Sequence, residues 1–152
     1  MRFGSMPILG AAMLAATALC VPAAAQTAAL VPFAVVDDAI PLPLTTTGGD
    51  AARGRALALD RSKGNCVTCH ELPVSADFQG NLGPPLTGVA DRYSIGELRL
   101  RVVDSKRNNA ESNMPPYYRV EGLTGVRRDW AGRPILTAQE VEDVLAYLMT
   151  LR

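Results

Sequence analysis

The chain is short of basic surplus, of lysine, of histidine and of aromatic side chains. Lys and Arg number 15 against 15 Asp and Glu, so the formal net charge is zero. Phosphate binding needs a surplus of basic groups gathered on one face, and no basic stripe runs along the 152 residues, which excludes a nucleic-acid partner. Only two lysines are present, Lys63 and Lys106, so no ring of lysines is available to steer the chain onto acidic partners. The single histidine, His70, excludes any site built from paired imidazoles. Aromatics make up 5% of a composition that is 48% hydrophobic and 20% charged, which is ordinary for one globular domain and too apolar for a disordered one. With so few rings, the core must be filled by aliphatic side chains or by something that is not protein. No alternation over more than four residues supports a buried strand, and no internal repeat is visible.

Residues 1–25 read as a secretory signal: Arg2 supplies the positive start, Ile8 to Leu19 the apolar run, and Ala23-Ala24-Ala25 a small-residue cleavage site before Gln26. The run is too short for a stable membrane anchor. Cys20 follows an apolar stretch, but Leu19 is bulky where lipoprotein processing wants a small residue, so Cys20 is expected to leave with the signal. Export points to the periplasm. Residues 26–49 then form an expected extended arm, punctuated by Pro32, Pro41, Pro43 and Gly48-Gly49. Its apolar Val31, Phe33, Val35, Val36 and Ile40 are too many for a solvated linker, so the arm packs on its own domain or on a partner.

The domain proper is expected over 50–152. Asp50 is placed to cap a first helix carrying Gly54, Leu57 and Ala58 at helical spacing, and its small inner residues permit close approach of another helix, with Tyr147 the expected neighbour of Gly54. Ser94-Ile95-Gly96-Glu97 is a capping box that opens a second helix to about Lys106. Thr137-Ala138-Gln139-Glu140 opens a last one, with Val141, Val144, Leu145 and Leu148 as its inner stripe, running to the C-terminus. Between these lie a Gly/Pro-rich stretch from Pro73 to Gly88 and a long loop over 107–136. The architecture is small and all-α, with loops long enough to need something to pack against.

The remaining cysteines, Cys66 and Cys69, are two residues apart and followed by His70. A disulfide closing so small a loop constrains the unfolded chain least and would be a poor staple. Structural zinc wants four Cys or His ligands, and only three remain. A thioredoxin-like pair belongs at a helix start after a strand, and no strand is visible. C-x-x-C-H is, however, the attachment signature of haem c: two sulfurs on one helical turn bond the two vinyl groups, and the histidine ligates the iron. One covalent haem also supplies the missing core bulk.

Because His70 is the only histidine, the second axial ligand cannot be an imidazole. Beyond the signal only Met114 and Met149 are left. Met149 adjoins the apolar stripe of the last helix and reads as core filler. Met114 lies in a polar loop before the rigid Pro115-Pro116 pair and is the candidate ligand. His/Met ligation favours ferrous iron, raises the potential and fills both axial positions, which leaves outer-sphere electron transfer as the function. In Gly83-Pro84-Pro85-Leu86, the Pro84 carbonyl either fixes the far nitrogen of His70 or belongs to an ordinary turn. Trp130 with Arg127, Arg128 or Arg133 either donates to the haem propionates or forms an interface; Tyr117 and Tyr118 line the haem pocket or a docking face.

With these residues in hand, the chain resembles the class I cytochromes c, and more closely the SoxX family, the monohaem subunits of SoxAX sulfur-oxidation complexes. The resemblance rests on Gly64-Asn65-Cys66 to His70, Gly83 to Val89, Met114 to Val120 and Pro134 to Asp143, and covers about residues 38–152. It departs from the family pattern at Asn108 to Asn113, where a proline-containing approach to the methionine is expected. It implies a small class I cytochrome c fold, with Cys66 and Cys69 as attachment sites and His70 and Met114 as axial ligands. It also implies a heterodimer with a SoxA-like cytochrome, which couples thiosulfate oxidatively to a cysteine of a SoxYZ-like carrier. In that arrangement the chain is the non-catalytic electron-transfer subunit of an L-cysteine S-thiosulfotransferase and passes electrons to a soluble cytochrome. The alternatives are a stand-alone periplasmic carrier and a haem-based gas sensor, the latter requiring an open sixth position.

Overall fold

A computed structural model of the chain describes Met1 and residues 30–152. The expected signal over 1–25, with Cys20, and the start of the arm at 26–29 lie outside the described residues. Among the described residues four α-helices appear: α1 (Ala51–Leu59), α2 (Val89–Arg92), α3 (Ile95–Asp104) and α4 (Ala138–Leu148). Among the described residues there is no strand, only an isolated antiparallel bridge between Val36 and Ala39. No helix among them is long and apolar enough to cross a membrane.

The helix starts lie where their side chains dictate. Asp50 accepts the Arg53 amide at 2.8 Å and opens α1. Ser94 with Glu97 and Thr137 with Glu140 form complete capping boxes at α3 and α4. The short α2 has no side-chain cap, follows Gly88 at φ 68°, and was not legible as a periodic pattern because it is a single turn. Its Ala90 amide donates to the Leu151 carbonyl at 3.1 Å. That contact bears on a correction: α4 does not run to the C-terminus. The Thr150 amide and hydroxyl both donate to the Tyr147 carbonyl, at 2.9 and 2.6 Å, tightening the last turn and swinging Leu151 into the core.

The core is aliphatic, built from Leu98, Leu100, Val103, Leu136, Val141, Val144 and Leu145 with Ile40 and Leu44. Helices α1 and α4 meet at Gly54, where a Cβ would overlap the Asp143 carbonyl and crowd the Val144 amide. The groups a side chain at Gly54 would meet first are the Asp143 carbonyl and the Val144 amide, so backbone approaches backbone at this point.

The described part of the arm packs on its own domain. Its Val31 amide donates to the Tyr118 hydroxyl (2.8 Å), Ile40 N–H to the Gly96 carbonyl (3.0 Å), and Leu44 N–H to Glu142 Oε1 (2.8 Å). Beneath it, buried Arg99 donates to both Glu142 oxygens at 2.8 and 2.9 Å and to the Ile40 carbonyl at 2.7 Å. Ile40 and Leu44 are buried, whereas Val31, Val35, Val36 and Leu42 face outward.

Candidate haem-binding site

Cys66–Thr68 form a single tight helical turn, entered through Asn65 in the left-handed region at φ 50°. The Cys69 and His70 amides both donate to the Cys66 carbonyl, at 3.1 and 2.9 Å, so one turn presents the two sulfurs and then the imidazole. Both thiols are free and half-buried. Burial pushes the Cys66 thiol up to about 11, so in the polypeptide alone it is held as the neutral thiol. Among the described residues, no group of three or more His, Cys, Asp or Glu side chains is arranged to hold a metal ion by itself.

His70 Nδ1 lies 2.7 Å from the Pro84 carbonyl oxygen. A carbonyl can only accept, so Nδ1 carries the proton, and in the neutral ring the lone pair sits on Nε2, the nitrogen free to meet iron. The loop that brings Pro84 there is laced to the motif by Gly80 N–H to the Val67 carbonyl (2.9 Å), Gly83 N–H to Cys69 (2.8 Å) and Leu86 N–H to Glu71 (2.8 Å). At Gly83 a Cβ would overlap the imidazole, so the loop is a cradle cut to the ring.

Met114 is half-buried and packs against the core, as does Met149, so burial alone does not separate them. Their surroundings do. Met149 caps α4. Met114 lies in an irregular loop stitched to the end of α3: Tyr117 N–H donates to the Val102 carbonyl (3.1 Å), Tyr118 N–H to Val103 (3.2 Å), and Ser105 Oγ to the Met114 carbonyl (2.6 Å). Tyr117 then donates its hydroxyl to the Gly64 carbonyl at 2.7 Å, tying the methionine loop to the start of the cysteine motif. Both tyrosines are buried, so neither offers the docking face suggested as one reading of the sequence; burial also raises the Tyr117 phenol. The departure from the family pattern at Asn108 to Asn113 is held without proline. Lys106 Nζ donates to the Ala110 and Ser112 carbonyls, and the Met114 amide donates to Ser112 Oγ at 3.2 Å.

Trp130 sits half-buried in a short turn, Arg128–Trp130, on the wall of a cleft of about 130 Å³ shared with Val120, Leu123 and Val126. Arg127 is engaged by Asp129 through two bonds, at 2.6 and 2.7 Å, and Arg133 reaches the Asp129 carbonyl and lies 5.8 Å from the indole centroid. Both arginines thus have local partners.

The residues fit a covalent haem. The donor set is two free thiols and one imidazole whose Nδ1–H is held by the Pro84 carbonyl. In addition the Tyr147 hydroxyl, buried on α4, has no hydrogen-bond partner among the described residues, and its phenol is raised by burial and by nearby Cys66. An orphaned hydroxyl beside the motif is what a site completed by a further group leaves behind. Sequence reasoning missed Ser105, Ser112, the Asp104–Arg119 pair and Arg99–Glu142. Serines and charges of this kind read as solvated helix ends, and nothing local marks the partner each one finds.

Residues 51–152 match the cytochrome c family. Among solved structures, the chain is similar to one in the crystal structure of SoxXA from P. pantotrophus. The identity is 33%, over 78% of this chain and 93% of that one, with a TM-score of 0.73. No curated protein matches.

Proposed function

The chain belongs to the cytochrome c family and is a haem c electron-transfer protein of SoxX-like, small all-α class I fold, and from that premise we propose that it is the electron-transfer subunit of a SoxXA-type complex. The observation that carries this reading is the 33% identity sustained over 93% of a chain of SoxXA. In the proposed role a SoxA-like cytochrome hands it electrons from the oxidative coupling of thiosulfate to a cysteine of a SoxYZ-like carrier, and a soluble cytochrome takes them away. The chain itself performs no bond chemistry. A cleaved signal over 1–25, an arm over 26–49 and a periplasmic location belong to the same reading. The scarcity of lysine and the outward apolar Val35, Val36 and Leu42 suit a subunit held in a complex better than a free shuttle.

Within the proposed site, Cys66 and Cys69 would hold the haem covalently, His70 Nε2 and Met114 Sδ would ligate its iron, and Pro84 would orient the imidazole through Nδ1–H. Bound there, haem supplies a reversible one-electron couple. A thioether favours the lower oxidation state, so Met114 sets a higher potential than a second imidazole would.

Purification of the tagged chain from its own periplasm tests the proposal. A second, larger cytochrome in constant ratio is the expected result. A well-behaved monomer that exchanges electrons freely would favour the stand-alone carrier, and carbon monoxide binding by the reduced native protein the gas sensor.

A further inference from the structure

Met114 is unusual in how its own peptide groups are held. Its amide donates to Ser112 Oγ at 3.2 Å and its carbonyl accepts from Ser105 Oγ at 2.6 Å, so two side-chain hydroxyls grip one residue from either side. The next two residues, Pro115 and Pro116, have no amide hydrogen, and the loop offers no donor until Tyr117. From Tyr117 onward the chain is anchored to α3. The Tyr117 and Tyr118 amides cover the Val102 and Val103 carbonyls, orphaned at the helix end, and Arg119 bonds both oxygens of buried Asp104 at 3.2 and 3.0 Å.

Ser105 is the odd member of this set. A serine in the last turn of a helix ordinarily bonds back to the carbonyl four residues earlier or points to water. This one is 5% exposed and reaches nine residues forward. Its hydroxyl is the one side-chain group given to the Met114 carbonyl, and a rigid proline pair transmits whatever it fixes.

We propose that Ser105 is a positioning residue for the axial methionine, its hydroxyl holding the Met114 peptide so that the thioether stays on the iron against competing ligands. The inference rests on the reading of Met114 as the sixth ligand. It assigns ligand retention to the end of α3, with Ser112 as the opposite jaw and the Asp104–Arg119 pair as the anchor behind the prolines.

The test compares Ser105→Ala, Ser105→Thr, Met114→Ala and Val144→Ala as holoproteins. Three quantities are read: the weak far-red band of thioether-ligated ferric haem, the rate at which cyanide replaces that ligand, and the denaturant midpoint. Met114→Ala should lose the band. Ser105→Ala should keep it while cyanide entry accelerates about five- to tenfold, the effect of one buried hydrogen bond. Ser105→Thr, which keeps the hydroxyl, should return the rate to that of the native protein. Val144→Ala, a core truncation on α4, should lower the midpoint without changing cyanide entry. If Met114→Ala retains the band, the ligand reading itself fails. If Met114→Ala behaves as expected but Ser105→Ala accelerates entry by less than about twofold, only the positioning role fails. That role fails equally if threonine does not restore the rate, or if Val144→Ala accelerates entry as much as Ser105→Ala for equal loss of stability.

Discussion

His70 shows how much a single contact decides. The ring has two nitrogens, and the 2.7 Å approach of the Pro84 carbonyl assigns the proton to one and the lone pair to the other, which leaves Nε2 prepared for the iron of the proposed site. The two methionines present the complementary case, in which side chains alike in burial are given different uses by the proposed site. Met114→Ala is expected to lower the reduction potential, abolish the thioether band and let the reduced protein bind carbon monoxide, all readable by redox titration and absorption spectra. Met149→Ala should leave the spectrum untouched and cost about 1–2 kcal/mol in denaturant unfolding, below the range for a fully buried methionine because its side chain is only half-covered. Exchanged behaviour of the two variants would reassign the ligand.

Helices α1 and α4 meet backbone to backbone at Gly54, and their contact is tuned by that glycine and an aspartate. Gly54→Ala would drive a methyl group into the Asp143 carbonyl, so α1 must shift; an overpacking cost of about 1–3 kcal/mol is expected, measured as a lowered denaturation midpoint. Asp143 holds the pair together from the other side. Its carboxylate takes two bonds from Arg53, at 2.8 and 2.9 Å, one from the Asp50 amide and one from Gln139. The Arg53 hydrogen bonds are the main cause that lowers its pKa from the ordinary 3.8 to about 2. A carboxyl lowered on folding stabilises the fold above its unfolded pKa, and the contribution disappears as pH falls through the folded value. The difference in unfolding free energy between the native protein and Asp143→Asn should therefore be constant above about pH 5 and shrink between about pH 5 and 1. Its size should be about 1–2 kcal/mol, discounted because Arg53 is half-exposed. A difference that grows with acidification would contradict the assignment.

Across the entire chain, one buried ion pair joins three segments that are far apart in sequence. Arg99 of α3 and Glu142 of α4 bond each other, and each also takes a backbone group of the arm, the Ile40 carbonyl and the Leu44 amide. Glu142→Ala strands Arg99 in the core and is expected to cost about 3–5 kcal/mol, whereas replacing both by apolar residues should recover much of that loss. Denaturation curves measure the cost, and limited proteolysis over 40–50 reports the freed arm. Much of the rest was readable in one dimension. The two capping boxes, the turn carrying Cys66, Cys69 and His70, and the proline-braced methionine depend on neighbours within a few residues, and short-range chemistry of that kind is written in order along the chain. The same holds for the haem itself, since C-x-x-C-H needs no distant partner to be recognised. Other features were settled only when the chain closed on itself. Whether the arm lay on its own domain, which backbone faced Gly54, and which partners Ser105 and Glu142 found all depend on groups nine to about a hundred residues away. A polar side chain carries no mark of the partner it will find; burial, which makes an unpaired donor or charge costly, selects that partner only in the folded molecule.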